Sequence, residues 1–380
     1  KNLKVHGAVF SETFGWERAK WFDSNGDGEK YSFRRNNSYY SVEKECIAVR
    51  ERVGLLDLTC FAKYEIEGSD AETFLQRICA NHIPKREGGV ALVHMLTELG
   101  GIECEATITR IDKNKYYALS GAIAEIHDHD WLVQHIMPGE KVSVRNVTNE
   151  YGVLVLAGPR SRDVLSKLTE ADLSNDAFPW LRGKTIDVSG VNALALRVSY
   201  AGELGWELHI PMQNVVVIYD NLMDKGNKFG IENFGTYAMN SLRMEKAYKG
   251  WGSELTTEIT PIEAGLERFV DFSKSFIGRE STLSRKLLGI NTKLVYMEVD
   301  ADDTDCLGNE PVLIGDHIIG VTTSGSYGHS VKKSLAFAYV EPKYADSGTN
   351  LKIRILGQER TATVLEEAAY DPQNLRLKDV

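Results

Sequence analysis

The chain has no run of apolar residues long enough to span a bilayer, and its N-terminal KNLKVHGAVF lacks the apolar core of a signal peptide. We therefore expect an intracellular protein with no membrane partner, cytoplasmic or, in a eukaryote, in the mitochondrial matrix. Paired cysteines are missing too. Cys46, Cys60, Cys79, Cys104 and Cys306 are five in number, widely scattered and never in a CxxC pair. That argues against a disulfide framework or a zinc site and suits a reducing compartment. Basic charge is in short supply: 44 Lys plus Arg against 54 Asp plus Glu leave a net charge of -10. Nucleic acid is thus a poor partner and a small molecule a better one. No GxGxxG follows a strand, and P-loop, GxSxG and HExxH motifs do not occur, so nucleotide, flavin and hydrolase chemistries lose their usual sequence support. Short repeats and low-complexity linkers are lacking as well.

What is there is ordinary globular sequence, 380 residues, enough for two or three domains. Residues 1–44 mix aromatics and charge, with WERAKWF, the turn SNGDGEK and YSFRRNNSYY, and read as an arm wrapped on a larger body. From 64 to 145, strands such as KYEIEG alternate with helical stretches such as DAETFLQRICANHI and AEIHDHDWLVQHI; residues 148–250 repeat that mixture. After about 290 the texture changes to short alternating runs split by Gly, Asp and Asn, the pattern of an all-β barrel or sandwich. The whole reads as an α+β body followed by a β domain.

Within the second mixed region, VSYAGELGWELHIP draws attention to a carboxylate. Leu194, Leu196, Val198 and Tyr200 alternate as one strand face, and Gly202 and Gly205 bracket a turn. Trp206, Leu208 and Ile210 then share a face and leave Glu207 and His209 on the other. If that face is open, Glu207 is one more solvated charge; if covered, it needs a partner, since an unpaired buried charge costs several kcal/mol. In GGIECEATITRI the same parity puts Ile102, Cys104, Ala106 and Ile108 inward and Glu103 with Glu105 outward, about 6.5 to 7 Å apart. In a desolvated cleft such neighbours raise one another's pKa, and on a solvated face they do almost nothing. Arg243, in SLRMEK, stacks at helical spacing between Met239 and Lys246 and can turn toward a cleft or snorkel to water.

Two other clusters are better read as structure. Asp23-Ser-Asn-Gly-Asp-Gly28 opens like a calcium loop, but the twelfth position is Arg34 where a bidentate glutamate is needed. A polar turn explains it. His127-Asp-His-Asp130 suggests metal, yet i and i+2 diverge on a helix and no third ligand is nearby, so a helix start with acids in its first turn is the simpler account, and no metal is expected.

Taken together, these segments resemble the aminomethyltransferase family, the T-protein of the glycine cleavage system and its relatives. WERAKWF, RVGLLDLTCFAKYEIEG, HMLTELGGIECE, GVLVLAGPRSRDVLSKLT, SYAGELGWELHIP, FGTYAMNSLRMEKAYKGWGSELTTEITPIEAGL and TTSGSYGHSVKKSLAFAYV are similar, in the same order, to the C-terminal half of dimethylglycine and sarcosine dehydrogenases. The similarity runs from Gly15 to about Ala369. In those enzymes a flavin domain comes first; the resemblance here is to the folate half alone, or to a separately encoded homologue, with no flavin in this chain.

The resemblance implies a three-domain cloverleaf around a central folate cavity. Residues 1–63 plus 148–250 would form the first α+β domain, 64–147 plus 251–285 the second, and 286–380 a C-terminal all-β barrel or jelly-roll-like domain. It implies tetrahydrofolate as cofactor, with Tyr200, Glu207, Arg243 and Trp251 at its site, and Glu105 as catalytic acid. Glu105 falls at the second acid of the family's GGIIDD motif; here the pair reads Cys104-Glu105, so one acid is lost and the other lengthened. The implied activity is capture of a methylene-iminium or formaldehyde-level carbon from an N-methylated glycine to give 5,10-methylenetetrahydrofolate. The implied partners are the small-molecule carbon donor and a flavin-containing dehydrogenase domain or subunit. Some relatives instead move a methyl group from a sulfonium or quaternary ammonium donor, and one is a non-catalytic phosphatase regulatory subunit; retention of Glu105, Glu207 and Arg243 weighs against the latter.

Overall fold

The computed structural model describes residues 2–379. Near the N-terminus, strands Ala8–Thr13 and Trp16–Phe22 pair as a hairpin whose Trp21 is buried with Val42, Cys46 and Val49 of the helix Tyr39–Glu51. The stretch after it is a turn: the Asp23 carboxylate accepts the backbone N–H groups of Asn25 and Gly28 at 2.9 and 2.7 Å. Those bonds account for its composition.

A six-stranded sheet follows in the order Gly183–Val188, Val191–Leu196, Gly205–Pro211, Tyr151–Ala157, Val53–Asp57, Ile231–Asn233, with only the last pair parallel. Both faces are covered, which explains the unbroken apolar run of VLVLA. Trp206, Leu208 and Ile210 lie on one side with Ile218 and Leu222 of the helix Val215–Gly226. Val153, Val155 and Ala157 lie on the other, against Trp21 and Leu242.

The second sheet is antiparallel in the order Val90–Leu96, Ile102–Asp112, Lys115–Ser120, Ala62–Glu67, Ser143–Asn146. Its core face carries Val93, Cys104, Ala106, Ile108 and Ala118 and is roofed by the helices Ala71–Ile78 and Glu125–Gln134. Leu255, Ala264, Leu266 and Phe276 pack on Ala80, Leu96 and Ile102, tying the segment after Trp251 to this sheet. Six strands between Lys293 and Val364 close into a barrel, settling the choice between barrel and jelly roll. Among the described residues no helix is long and apolar enough to cross a membrane.

The hairpin differs from its expected form. The strand stops at Leu196, and residues 197–204 form a loop instead of continuing the alternation through Tyr200. The side chains there have partners far from the sheet: Arg197 donates to the carbonyls of Phe178 and Lys378, and Glu203 is held by Arg50, Tyr370 and Arg376. Gly202 does adopt a positive φ of 79°. Gly205 does not; it starts the second strand where a Cβ would lie 2.5 Å from the Leu156 carbonyl.

Candidate functional site

Parity places Glu207 and His209 on the face opposite Trp206 and Leu208, and that face is covered: Glu207 is 8% exposed and His209 1%. The solvated-charge reading of Glu207 therefore falls. His209 Nδ1 meets the hydroxyl of Tyr117, on the second sheet, at 2.9 Å, a bond that joins the two sheets. Its Nε2 lies 3.6 Å from Glu207 Oε2, too far for a hydrogen bond, and both atoms are buried without a hydrogen-bond partner. Burial holds the His209 pKa below its ordinary value although Glu207 pulls the other way. Glu207 Oε2 is thus a buried carboxylate oxygen without a hydrogen-bond partner from the chain.

Tyr200 lies in the 197–204 loop, 38% exposed, with its hydroxyl on the Lys249 carbonyl at 2.8 Å and its ring stacked on Tyr248. Trp251 donates its indole N–H to the Glu103 carbonyl at 2.9 Å and faces His127 with ring centroids 5.6 Å apart. Arg243 neither snorkels nor points freely into a cleft. It is 6% exposed and donates to Asn240 Oδ1, the Tyr248 carbonyl, Glu254 Oε2 and Ser324 Oγ, all between 2.9 and 3.2 Å. Glu254 in turn accepts from Gly250 N–H and from the hydroxyls of Thr323 and Ser324. Arg243 thus ties its helix Thr236–Glu245 to the 248–254 loop and the barrel.

Glu103 and Glu105 share a half-buried face, as parity requires, and each has its own histidine. Glu105 Oε2 meets His94 Nε2 at 2.9 Å, and Glu103 Oε1 meets His127 Nε2 at 2.8 Å. The same face of the second sheet carries Thr107, Leu119 and Tyr117, so Glu105 shares the face whose Tyr117 reaches His209. Its charge is also felt at Tyr200 and Lys249. Burial lowers the Lys249 pKa, with Arg268 adding to the shift and Glu254 and Glu105 opposing it.

His94, Lys249 and Glu254 are site neighbours that pattern reading missed. A lone histidine in VALVHML looks like core, and only the register His94↔Glu105 reveals its partner. Cys104 supplies the third neighbour that HDHD lacked: its Sγ, a His127 nitrogen and an Asp128 oxygen lie within 4.8 Å of one another. Those donors are already engaged. His127 Nδ1 bonds Asp128 at 2.9 Å and Nε2 bonds Glu103, while burial raises the Cys104 thiol pKa far above its ordinary value. Burial opposes charge on His127, but Asp128 and Glu103 outweigh it and raise its pKa. The cluster is a hydrogen-bonded line beside Trp251.

Comparison with known proteins follows the same outline. The GCVT N-terminal domain matches residues 1–274, and the glycine cleavage T-protein C-terminal barrel domain matches residues 292–371. Over 371 residues the chain is 40% identical to mitochondrial dimethylglycine dehydrogenase of Rattus norvegicus, covering 96% of this chain and 43% of that protein. It therefore spans less than half the length of the mitochondrial dehydrogenases it matches. It is 30% identical over 334 residues to an aminomethyltransferase of Caldanaerobacter subterraneus subsp. tengcongensis, covering 87% of this chain and 88% of that one. In fold it matches glycine cleavage system aminomethyltransferase T from Bartonella henselae with a TM-score of 0.84 at 22% identity, covering 97% of this chain and 96% of the other.

Proposed function

The chain belongs to the glycine cleavage T-protein family of aminomethyltransferases, and on that premise we propose that it is a tetrahydrofolate-dependent one-carbon transferase. In this reading it captures a methylene-iminium or formaldehyde-level carbon from an N-methylated glycine and gives 5,10-methylenetetrahydrofolate. The observation that carries it is the Glu207 carboxylate, buried with Oε2 unpartnered. Burying such a group costs free energy unless it is hydrogen-bonded, so a ligand that brings donors to it is favoured. The pterin edge offers an N3–H and an exocyclic amine side by side, a match for the two oxygens of one carboxylate.

The other residues take roles around that anchor. Tyr200, its hydroxyl already tied, has a ring face to offer a flat ligand, and Trp251 offers another. Arg243, with its donors engaged by the chain, serves the folate by fixing the 248–254 loop. Tetrahydrofolate, when bound, supplies two amines that capture the electrophilic carbon. Glu105 stabilises the cationic carbon, orients the attacking amine and accepts its proton. The carbon comes from an N-methylated amine oxidised by a flavin-bearing dehydrogenase domain or subunit. The mitochondrial dehydrogenases among the relatives fit a matrix location in a eukaryote.

Calorimetric titration with tetrahydrofolate tests the anchor. Glu207→Gln keeps the shape but removes a charged acceptor, and should weaken binding by roughly 1.5 to 3 kcal/mol. Unchanged affinity removes Glu207 from the pterin site. A product assay with added formaldehyde then separates the readings: transfer supports the proposal, methyl transfer from a sulfonium donor replaces it with a demethylase, and binding without either leaves a regulatory homologue.

A further inference from the structure

His94 is a member of the site that the transfer reading leaves without a role. In the strand Val90–Leu96 it alternates away from Val93 and Met95, which enter the second core, and it stands directly across the antiparallel ladder from Glu105. Opposed residues of such a ladder carry their Cβ atoms about 4.5 to 5.5 Å apart. The imidazole and the carboxylate are thereby brought to 2.9 Å, Nε2 to Oε2. The ring is fully buried, its Nδ1 has no hydrogen-bond partner, and Phe269 stands edge-on with centroids 5.9 Å apart.

Those surroundings fix the proton. A carboxylate only accepts, so Nε2 carries the hydrogen; a second N–H on Nδ1 would be buried without an acceptor, which proteins avoid. His94 is then a neutral donor. A neutral donor orients the carboxylate and leaves it a full negative charge, whereas an imidazolium would make it a weaker base.

We propose that His94 is the positioning residue for Glu105: it pins Oε2, leaves Oε1 for the reacting centre, and removes the extra rotational freedom that a glutamate has over the aspartate of the family motif. The proposal rests on the reading of Glu105 as the acid of the transfer. Besides His94, the titratable groups around Glu105 are Glu103 along its own strand and, within reach of its charge, Tyr200 and Lys249 from the neighbouring loops.

Nitrogen NMR of the intact protein tests the proton directly. The expected spectrum has a protonated Nε2 and an unprotonated Nδ1 for His94 at neutral pH; a proton on Nδ1, alone or with Nε2, overturns the proposal. The second test is single-turnover carbon capture by His94→Leu and His94→Gln, each also made in the Glu105→Gln background, with tetrahydrofolate affinity measured alongside. His94→Leu should slow transfer about tenfold or more and move the acid limb of the pH–rate profile upward, because the ionised carboxylate loses a donor that favours it. His94→Gln, whose amide still donates, should recover most of the rate. Affinity should stay level, and His94→Leu should add nothing once Glu105 is glutamine. An undiminished effect in that background, or an unmoved pH profile, makes His94 merely structural and overturns the proposal. Glu105→Gln at the parental rate is a different failure: it sinks the assignment of Glu105, and His94 with it.

Discussion

At the scale of single residues, strand parity identified which acids share a face, while their partners came from elsewhere in the chain. Glu103 and Glu105 are neighbours on one strand, yet one bonds His127 from a helix and the other His94 from the adjacent strand. Arg243 shows the same limit. Its sequence spacing left its direction open, and the structure gives it four acceptors contributed by its own helix, by the 248–254 loop and by the barrel. This makes a prediction that separates two roles. Glu254 is wholly buried. Arg243→Met leaves that carboxylate without its counter-charge, though still hydrogen-bonded to Gly250, Thr323 and Ser324. Breaking a buried pair from one side costs about 3 to 5 kcal/mol, and the remaining bonds favour the lower end. Urea unfolding should therefore show a loss of about 3 kcal/mol. A variant of parental stability that merely binds tetrahydrofolate less well would make Arg243 a ligand contact rather than a clamp.

At the scale of elements, the Gly100-Gly101 pair before the Glu105 strand has a steric reason. A Cβ on Gly101 would lie 1.8 Å from the Thr257 carbonyl, because residues 256–259 lie directly against the strand start. Ile102 N–H reaches the carbonyls of Thr256 and Ile259 there, at 3.1 and 2.9 Å. The segment that brings Trp251 to the Glu103 carbonyl thus depends on a missing side chain. Gly101→Ala should destabilise the protein by about 1 to 3 kcal/mol, as overpacking does, and shift the fluorescence of Trp251. Parental melting and emission would show that the segment yields. Elements were largely legible because each sheet face imposes its own period: KYEIEG lies in a strand up to its glycine, the short runs after 290 close as the barrel, and DAETFLQRICANHI and AEIHDHDWLVQHI both contain helices. The 197–204 loop was not legible. Alternation would have carried the strand through Tyr200, but Arg197 and Glu203 bond to Lys378 and Arg376, far along the chain, and no local pattern records that. Nor does VALVHML record that its histidine faces a carboxylate; a core histidine would look the same.

At the scale of the whole molecule, a few buried polar joints hold the sheets and the barrel in place around the site. Tyr117 and His209 join the two sheets, Arg50 binds Glu203 and Glu245, and Arg243 reaches Ser324 in the barrel. Another joint docks the N-terminal arm on the barrel. His329 packs between Tyr39 and Tyr327 with centroids 4.8 and 5.1 Å away, Arg35 lies 4.2 Å over the Tyr327 ring, and Arg35 grips Asp305 with two bonds of 3.0 Å. Burial pushes the His329 pKa down to about 4, with Arg35 adding to the shift and Asp305 opposing it. The unfolded histidine titrates near 6.5. Below that pH the unfolded chain takes up a proton that the folded chain refuses, so stability is present above about 6.5 and drains away as pH falls toward 4. The full shift corresponds to roughly 3 kcal/mol. Other buried groups contribute too, His209 in the same sense and Glu45, pushed up to about 8 by burial, in the opposite one, so the raw acid curve is a mixture. The difference between the parent and His329→Gln isolates the histidine: the variant should match the parent near pH 7 to within the change in packing, then lose less stability between pH 6.5 and 4. Urea midpoints at pH 7, 5.5 and 4.5 measure it. Parallel curves for the two proteins would mean that the arm opens and lets His329 take its proton without unfolding the barrel.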